Sequence, residues 1–218
     1  MQPLGAAILI GLAYLAGSIP VGVIVARLAG APDPRTTGSG RTGGTNALRA
    51  MGRRLAAIVV LGDVAKGALP VVAARWLTGG DPALEAACGV AAVIGSARSL
   101  FLGFHGGRGV ATGVGTMLVI QPLAVILAAP VFIGVILITR YVSLGSLLGS
   151  AAMIPAVALV FLVLNGTVPP AYLVYAVIGV AVVWIAHADN IDRLLHGTER
   201  KFDLDLLSGR GGGAGGVG

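Results

Sequence analysis

Long apolar runs alternate with short polar interruptions along the chain. Seven apolar segments lie at about 4–28, 55–77, 83–102, 110–121, 123–139, 142–164 and 171–187. Because about 20 apolar residues in a helix span the hydrocarbon core of a bilayer, these runs predict an all-α, polytopic membrane helix bundle. The fourth and fifth runs are short and meet at Gln121-Pro122, so one kinked helix, giving six spans, is the alternative.

The composition agrees with an integral membrane protein, because 56% of the 218 residues are hydrophobic, only 11% are charged and the mean hydropathy is +0.92. This length suits one bundle, so we expect a single transmembrane domain over 1–208. The glycine-rich stretch 209–218 has almost no side chains to bury and is predicted to be a disordered tail. The single cysteine, Cys88, is expected to be a small packing residue.

The positive charges favour seven spans and fix the predicted orientation. With the N-terminus outside and the C-terminus cytoplasmic, all of the 15 Lys and Arg residues except Lys66 and Arg75 fall on or near the cytoplasmic side. Glu85, near the outer end of the third run, is expected to be solvated. The net charge of +6 is concentrated in loops, which favours lipid headgroups and anionic substrates over nucleic acid as partners.

Three polar blocks interrupt the apolar pattern, at 38–49, 105–112 and 187–199. Each combines small residues, which let the backbone approach a ligand closely, with side chains that can hold an anion. Lipid cannot solvate such groups, so they must cluster in protein or face water. The seven-span topology places all three blocks on one face, which predicts a single site for a phosphorylated substrate.

The first two blocks are typical of phosphate-binding loops. The first contains four glycines that let backbone N–H groups converge, with neutral and cationic donors among them: Gly38, Ser39, Gly40, Arg41, Gly43, Gly44, Thr45, Asn46 and Arg49. A solvated connector is the alternative interpretation. In the second, Gly106, Gly107, Arg108, Gly109 and Thr112 open a short helix, whose N-terminus favours an anion. The Walker spacing is absent, so nucleotide hydrolysis is not expected.

In the third block, His187 and Asn190 share a helix face one turn apart, and Arg193 follows. The alternative is an interfacial histidine with a structural role only. His187 and Asp192 also have the H-x-x-x-x-D spacing of acyl-CoA-dependent acyltransferases, but those are not polytopic bundles. Within the second apolar run, Asp63 and Lys66 lie one turn apart, either as a structural ion pair or as a brace for the polar loops.

Taken together, the three blocks resemble the bacterial acyl-phosphate-dependent glycerol-3-phosphate acyltransferases, the PlsY family. That family's patterns are G-S-G-N-x-G-A-T-N-x-x-R, G-G-K-G-V-A-T and H-x-x-N-x-x-R-L-x-x-G-x-E. The third pattern matches this chain throughout. Residues 15–20 and the cluster Asp63, Lys66 and Gly67 also look like family features, so the resemblance covers nearly the whole chain.

This resemblance implies a multi-pass enzyme of the bacterial inner membrane that needs no cofactor or metal. It would move a fatty acyl group from acyl phosphate to the 1-hydroxyl of sn-glycerol 3-phosphate, giving lysophosphatidic acid and phosphate. Membrane lipids and a functional link to the enzyme that supplies acyl phosphate are implied as well.

By motif position the resemblance also implies which residues form the site. The implied catalytic residues are Ser39, His187 and Asn190. The implied substrate and phosphate ligands are Thr45, Asn46, Arg49, Gly106, Gly107, Arg108, Arg193 and Glu199, with Asp63, Lys66 and Arg41 in support. His187 either acts as a general base or orients the acceptor while a substrate phosphate takes the proton, and the second role is preferred.

The chain departs from the family pattern in its first two motifs. Arg41 replaces an Asn, Gly44 an Ala and Arg108 a Lys, and His105 stands where another Lys is common. Upstream, Ser96 and Ser99 occupy positions that are often His and Pro. A divergent relative with another phosphorylated acceptor, or a small anion transporter, remains the alternative function.

Overall fold

The computed structural model describes residues 1–203 except 165 and 167, and in that part every regular element is helical. The predicted tail at 209–218 lies outside the described residues. Within these described residues, nine α-helices follow one another: α1 (Pro3–Ser18), α2 (Val21–Leu28), α3 (Gly44–Thr78), α4 (Pro82–Ala97), α5 (Val110–Ile120), α6 (Pro122–Thr139), α7 (Val142–Val163), α8 (Pro170–Ala186) and α9 (Ala188–Leu195). One-turn 3-10 helices lie at Pro34–Thr36 and Leu100–Leu102.

Several of these helices are long and apolar enough to cross a membrane. α3, α6, α7 and the stretch Pro82–Leu102 qualify singly, and α1 with α2 and α8 with α9 qualify as pairs bent by 46° and 63°. α5 is shorter, with 11 residues. The predicted all-α membrane bundle is confirmed, whereas the count of seven spans and the orientation of the termini stay predictions.

The first apolar run is broken at Ile19-Pro20 instead of forming one helix. Proline lacks the N–H that would continue the helix, which leaves carbonyl groups without their usual partners. Lys66 donates from Nζ to the Ile19 carbonyl at 3.0 Å, and Ser99 donates from Oγ to the Ser18 carbonyl at 2.6 Å. The break is therefore closed by polar side chains from two other parts of the chain.

α3 begins well before the predicted run at 55–77 and bends at Gly52, whose φ of +76° favours glycine. The part 44–51 folds back along the part that follows, so that Ala47, Ala56 and Val59 share one buried cluster. A Cβ at position 44 would lie 2.4 Å from Val60 Cγ2. This crowding explains why glycine replaces the alanine of the family pattern.

The fourth and fifth runs form two antiparallel helices, not one kinked helix. Val110 of α5 and Phe132 of α6 line the same cavity, although a continuous helix would separate them by about 33 Å. The chain therefore reverses at Gln121-Pro122.

α5 packs closely against α3, which fixes the second polar block. A Cβ at Gly67 would lie 2.1 Å from the Thr112 carbonyl oxygen, and one at Gly115 would lie 2.0 Å from that of Val64. Small residues let the two backbones touch, as is usual for helices packed in lipid.

The expectation that Glu85 is solvated was wrong. Glu85 is 1% exposed and receives two hydrogen bonds from Arg75, from Nε at 3.0 Å and Nη2 at 2.7 Å, and one from the Tyr172 hydroxyl at 2.9 Å. Arg75 Nη2 also donates to the Val119 carbonyl at the end of α5. Because a buried carboxylate needs a partner, Glu85 and Arg75, one of the two cations that the orientation argument left aside, stabilise each other.

We expect cysteine labelling to place the three polar blocks on one side of the membrane. The exposed positions Thr36, His105 and Thr198 should react with an impermeant thiol reagent from the cytoplasmic side, and Ala83 from the outer side, all in a Cys88→Ala background. The physical reason is the charge bias of the loops. Labelling of Thr198 from the side opposite Thr36 would disprove the topology.

Candidate active site

The three polar blocks meet at the guanidinium of Arg108, which lies just before α5. Its Nη1 donates to Ser39 Oγ of the first block at 3.2 Å, and its Nη2 donates to Asp189 Oδ2 of the third block at 2.8 Å. The planar guanidinium offers a separate terminal nitrogen to each partner, whereas a lysine ammonium has a single nitrogen. Arginine in place of the family's lysine thus has a structural consequence in this chain.

Asn46 organises the first block. Its Nδ2 donates to the Arg41 carbonyl at 2.8 Å and to Ser39 Oγ at 3.1 Å, while its Oδ1 accepts from the Ser39 N–H and from Arg49 Nη1, both at 3.4 Å. Gly38 has a φ of +56°, and a Cβ there would lie 2.3 Å from Asn46 Oδ1. One amide thus holds both sides of the loop.

The second block is bound to the end of α4. The N–H of Gly107 donates to the Ser96 carbonyl at 2.9 Å, and that of Gly106 donates to the Ala97 carbonyl at 3.3 Å. Thr112 Oγ1 donates to Ser96 Oγ at 2.9 Å. The N–H groups of Gly106 and Gly107 therefore serve the fold, and a phosphate-binding role for these two glycines stays a prediction.

Glu199 organises the third block. It accepts hydrogen bonds from Asn190 Nδ2 at 2.7 Å, from Arg193 Nε at 2.7 Å and from Ser143 Oγ at 2.9 Å. Partial burial raises the pKa of this carboxyl, but the three donors lower the pKa by more, so its pKa lies below its usual value. Glu199 is therefore ionised at neutral pH and fixes the Asn190 side chain.

His187 follows the last residue of α8 and is 2% exposed. Its Nδ1 lies 2.8 Å from the Val183 carbonyl oxygen. Because a carbonyl only accepts, Nδ1 carries the proton, and Nε2 of the neutral ring is left as an acceptor.

We expect the neutral His187 ring to carry its proton on Nδ1, because the Val183 carbonyl accepts from that nitrogen. Nitrogen NMR of histidine-labelled protein at pH 8 should show the Nδ1–H tautomer for this residue, with His187→Gln assigning the signal. A dominant Nε2–H tautomer of His187 would contradict the assignment.

Two buried side-chain atoms at this junction have no hydrogen-bond partner among the described residues: Arg108 Nε and Asn190 Oδ1. One is a donor and the other an acceptor. Leaving such atoms unpaired costs about 1–3 kcal/mol each, so they are typical of a site that binds a ligand.

The remaining predicted residues lie at varying distances from this network. Arg41 holds the Asn46 amide through its carbonyl, and its guanidinium is close enough to Arg108 and Asp189 to affect both electrostatically. Thr45 makes none of the side-chain hydrogen bonds found in the described part of the chain. Lys66 pairs with Asp63 at 2.8 Å and supports the break in the first span.

Sequence reasoning did not single out three residues that the structure places in the site. Asp189 pairs with both Arg108 and Arg193, Ser143 donates to Glu199, and Arg200 donates to the Gly38 carbonyl. Asp189 belongs to the third block, and its position next to His187 was the available signal. Ser143 gave none, because it lies on α7, 56 residues from its partner in the sequence.

An apolar cavity of about 320 Å³ lies between α4, α5, α6, α7 and α8. Its lining includes Val110, two residues after Arg108, and Val183, whose carbonyl binds His187. Ser146 and Ser150 also line it, but their hydroxyls donate to carbonyls of α7 itself. The polar junction therefore adjoins a hydrocarbon-like space.

Comparisons with known proteins agree on one family. The family model described as glycerol-3-phosphate acyltransferase matches residues 7–197. Proteins named glycerol-3-phosphate acyltransferase from Geobacter sulfurreducens and Rubrobacter xylanophilus are 44% and 43% identical, over 89% and 95% of this chain and 96% and 98% of their own.

Two solved structures are also similar, both of PlsY, an integral membrane glycerol 3-phosphate acyltransferase. The glycerol 3-phosphate form has a TM-score of 0.82 and 34% identity, covering 94% of this chain and 98% of its own. The lysophosphatidic acid form has a TM-score of 0.80 and 33% identity, with 94% and 99% covered.

Proposed function

The chain belongs to the glycerol-3-phosphate acyltransferase family and is an acyltransferase, and we propose that it moves a fatty acyl group from acyl phosphate to the 1-hydroxyl of sn-glycerol 3-phosphate. The products are lysophosphatidic acid and phosphate, and no cofactor or metal takes part. The observation that carries the proposal is the pair of unpaired buried atoms, Arg108 Nε and Asn190 Oδ1, beside an apolar cavity.

The unpaired donor suits a phosphate. Arg108 already holds Ser39 and Asp189 with its two terminal nitrogens, and Nε remains to donate to a phosphate oxygen. Arg41 supplies further positive charge close to it, and Arg49 adds another cation to the first block through its contact with Asn46. The N-termini of α3 and α5, where first-turn N–H groups lack helical partners, lie next to each other at Thr42 and Gly107.

The unpaired acceptors suit a hydroxyl. His187 Nε2 and Asn190 Oδ1 each accept a hydrogen bond, and Glu199 and the Val183 carbonyl hold their side chains in place. Glycerol 3-phosphate carries two hydroxyls and one phosphate, so it complements this combination of acceptors and donor. Orientation of the attacking hydroxyl can supply much of the rate enhancement.

In the proposed step, the hydroxyl oxygen forms a bond to the acyl carbon, and the bond from that carbon to the phosphate oxygen breaks. The hydroxyl proton passes to an oxygen of the leaving phosphate, and His187 orients the hydroxyl. Support comes from the basicity of phosphate, whose second pKa of about 6 lets an oxygen of the leaving group take up this proton. Arg108 stabilises the charge that develops on phosphate.

The apolar cavity suits the acyl chain of the donor. It is lined by Val110, two residues after Arg108, and by Val183, whose carbonyl binds His187, so a chain inside it would present its carboxyl-phosphate end to both. Acyl phosphate and membrane lipids are therefore the proposed hydrophobic partners. We place the enzyme in the bacterial inner membrane, where the enzyme that supplies acyl phosphate would be a functional partner.

The decisive experiment uses purified protein with a long-chain acyl phosphate and glycerol 3-phosphate. We expect lysophosphatidic acid and phosphate to form in equal amounts, with no transfer from acyl-CoA. Glycerol and dihydroxyacetone phosphate are tested as acceptors, because a divergent relative would prefer an acceptor other than glycerol 3-phosphate. Uptake of glycerol 3-phosphate into proteoliposomes tests the transporter alternative. Transfer from acyl-CoA but not from acyl phosphate would refute the proposal.

Glu199→Gln should lower kcat by about 10-fold or more, because a neutral amide weakens the charge-assisted hydrogen bonds that orient Asn190 and Arg193. Asp192→Asn is the matched control, since the side chain of Asp192 is 73% exposed and should not affect turnover. Steady-state kinetics with both substrates varied provide the measurement. Loss of activity in Asp192→Asn would instead favour the H-x-x-x-x-D interpretation.

A further inference from the structure

The apolar cavity ends at a floor inside the bundle. Three of its lining residues, Met117, Tyr175 and Ala176, also belong to the main buried core, and Val125 and Met153 pack against that core. Beyond these residues on α5, α7 and α8 the core continues with the buried residues Ile120, Val157 and Tyr172. The cavity is therefore closed at the end opposite the polar junction.

The depth of the cavity follows from helix geometry. Val110 and Met117 are separated by seven residues of α5, or about 10 Å. Val183 and Tyr175 are separated by eight residues of α8, or about 12 Å. One leaflet is about half of the ~30 Å hydrocarbon core, so the cavity is shallower than the space a membrane lipid chain occupies.

The floor combines one fixed residue with two adaptable ones. The Tyr175 hydroxyl is hydrogen-bonded to Thr116 Oγ1, and a Cβ at Gly89 would lie 2.8 Å from the Tyr175 ring, so that ring is held on both sides. Met117 is 1% exposed and Met153 is partly buried, and both side chains are unbranched. Both side chains line the cavity.

We propose that Met117 and Met153 determine the acyl-chain length that the enzyme prefers, by forming the end of the acyl cavity. This inference rests on the proposed function, because the occupant is the chain of the acyl phosphate. Each methylene of the acyl chain that fits inside the cavity strengthens binding of the chain, whereas a methylene for which the cavity has no room does not. One methylene in an apolar site changes specificity by about 10- to 200-fold.

The test is a series of saturated acyl phosphates of increasing length, with kcat/KM measured for each. In the wild type, kcat/KM should rise with length and then level off or fall. Met117→Ala and Met153→Ala each open room for about two or three methylenes, and should move the optimum to longer chains by that amount. The ratio of kcat/KM for the longer acyl phosphate to kcat/KM for the shorter one should increase at least 10-fold over the wild type.

Two further variants sharpen the result. Ala129 lies about 6 Å along α6 from Val125, on the side of the polar junction. Ala129→Leu therefore narrows the cavity before its floor and should move the preferred acyl length to shorter chains. Leu118→Ala is the matched control, because Leu118 neighbours Met117 but is 42% exposed on the outside of the bundle, and its profile should equal that of the wild type.

Thermal stabilisation by alkyl phosphonates of the same lengths, which cannot react, gives a second readout independent of turnover. If Met117→Ala does not fold, Met153→Ala and Ala129→Leu decide the question. Unchanged length profiles in the folded cavity variants would overturn the inference while leaving acyl transfer intact. A wild type inactive with acyl phosphates of every length would instead overturn the proposed function.

Discussion

Replacing Arg108 by Met is expected to remove nearly all acyl transfer while the protein still folds. Methionine keeps the apolar stem but deletes the charge that joins Ser39 and Asp189. Loss of one partner from a desolvated charge pair costs about 2–5 kcal/mol. We therefore expect kcat/KM to fall by roughly 30- to 5000-fold. Asp189 keeps Arg193 as a partner, so the third block should stay folded.

Arg108→Lys is the matched control for charge. An ammonium retains the charge, but it replaces a planar guanidinium that reaches two partners, so the expected cost is about 1–2 kcal/mol, or a 5- to 30-fold loss. Thermal unfolding of both variants separates activity from stability. Equal activity in the Lys and Met variants would show that Arg108 does not neutralise phosphate in the site.

His187→Ala is expected to lower kcat by about 100-fold or more, because the acceptor hydroxyl loses the group that aligns it with the acyl carbon. The KM for glycerol 3-phosphate should change less, since phosphate contacts remain. Single-turnover measurements with bound acyl phosphate report the chemical step directly. A kcat within threefold of the wild type would remove His187 from the mechanism.

His187→Gln separates orientation from proton transfer. A glutamine oxygen can accept a hydrogen bond near the position of Nε2, but an amide does not take up the proton. If His187 orients the hydroxyl, Gln should restore activity at least about 10-fold over Ala. A glutamine variant as inactive as the alanine variant would favour a general-base role.

The apolar pattern predicted the later helices closely, and it failed where backbone geometry interrupts a run. α6, α7 and α8 differ from their predicted runs by about one residue at each end. Hydropathy averages over a window, so it did not detect the break at Ile19-Pro20. It also missed the part of α3 at 44–51, because that part is polar and returns along the helix only after the bend at Gly52.

The candidate site was predicted as three blocks but not as a network. The blocks stood out because polar residues are costly in lipid and therefore concentrate where they are needed. The contact between Arg108 and Asp189 joins positions 81 residues apart, and no local pattern encodes it. The prediction that Glu85 is solvated failed for a related reason. Its exposure was inferred from its position near a span end, whereas Arg75 and Tyr172 contact its carboxylate.

Lys66 and the carbonyl of Ile19 lie 47 residues apart, so they are synthesised at different times. When the first span emerges from the ribosome, the cation that closes its break does not yet exist. An unsatisfied carbonyl costs several kcal/mol in hydrocarbon. We therefore expect the break in the first span to be closed only after both Lys66 and Ser99 have been translated.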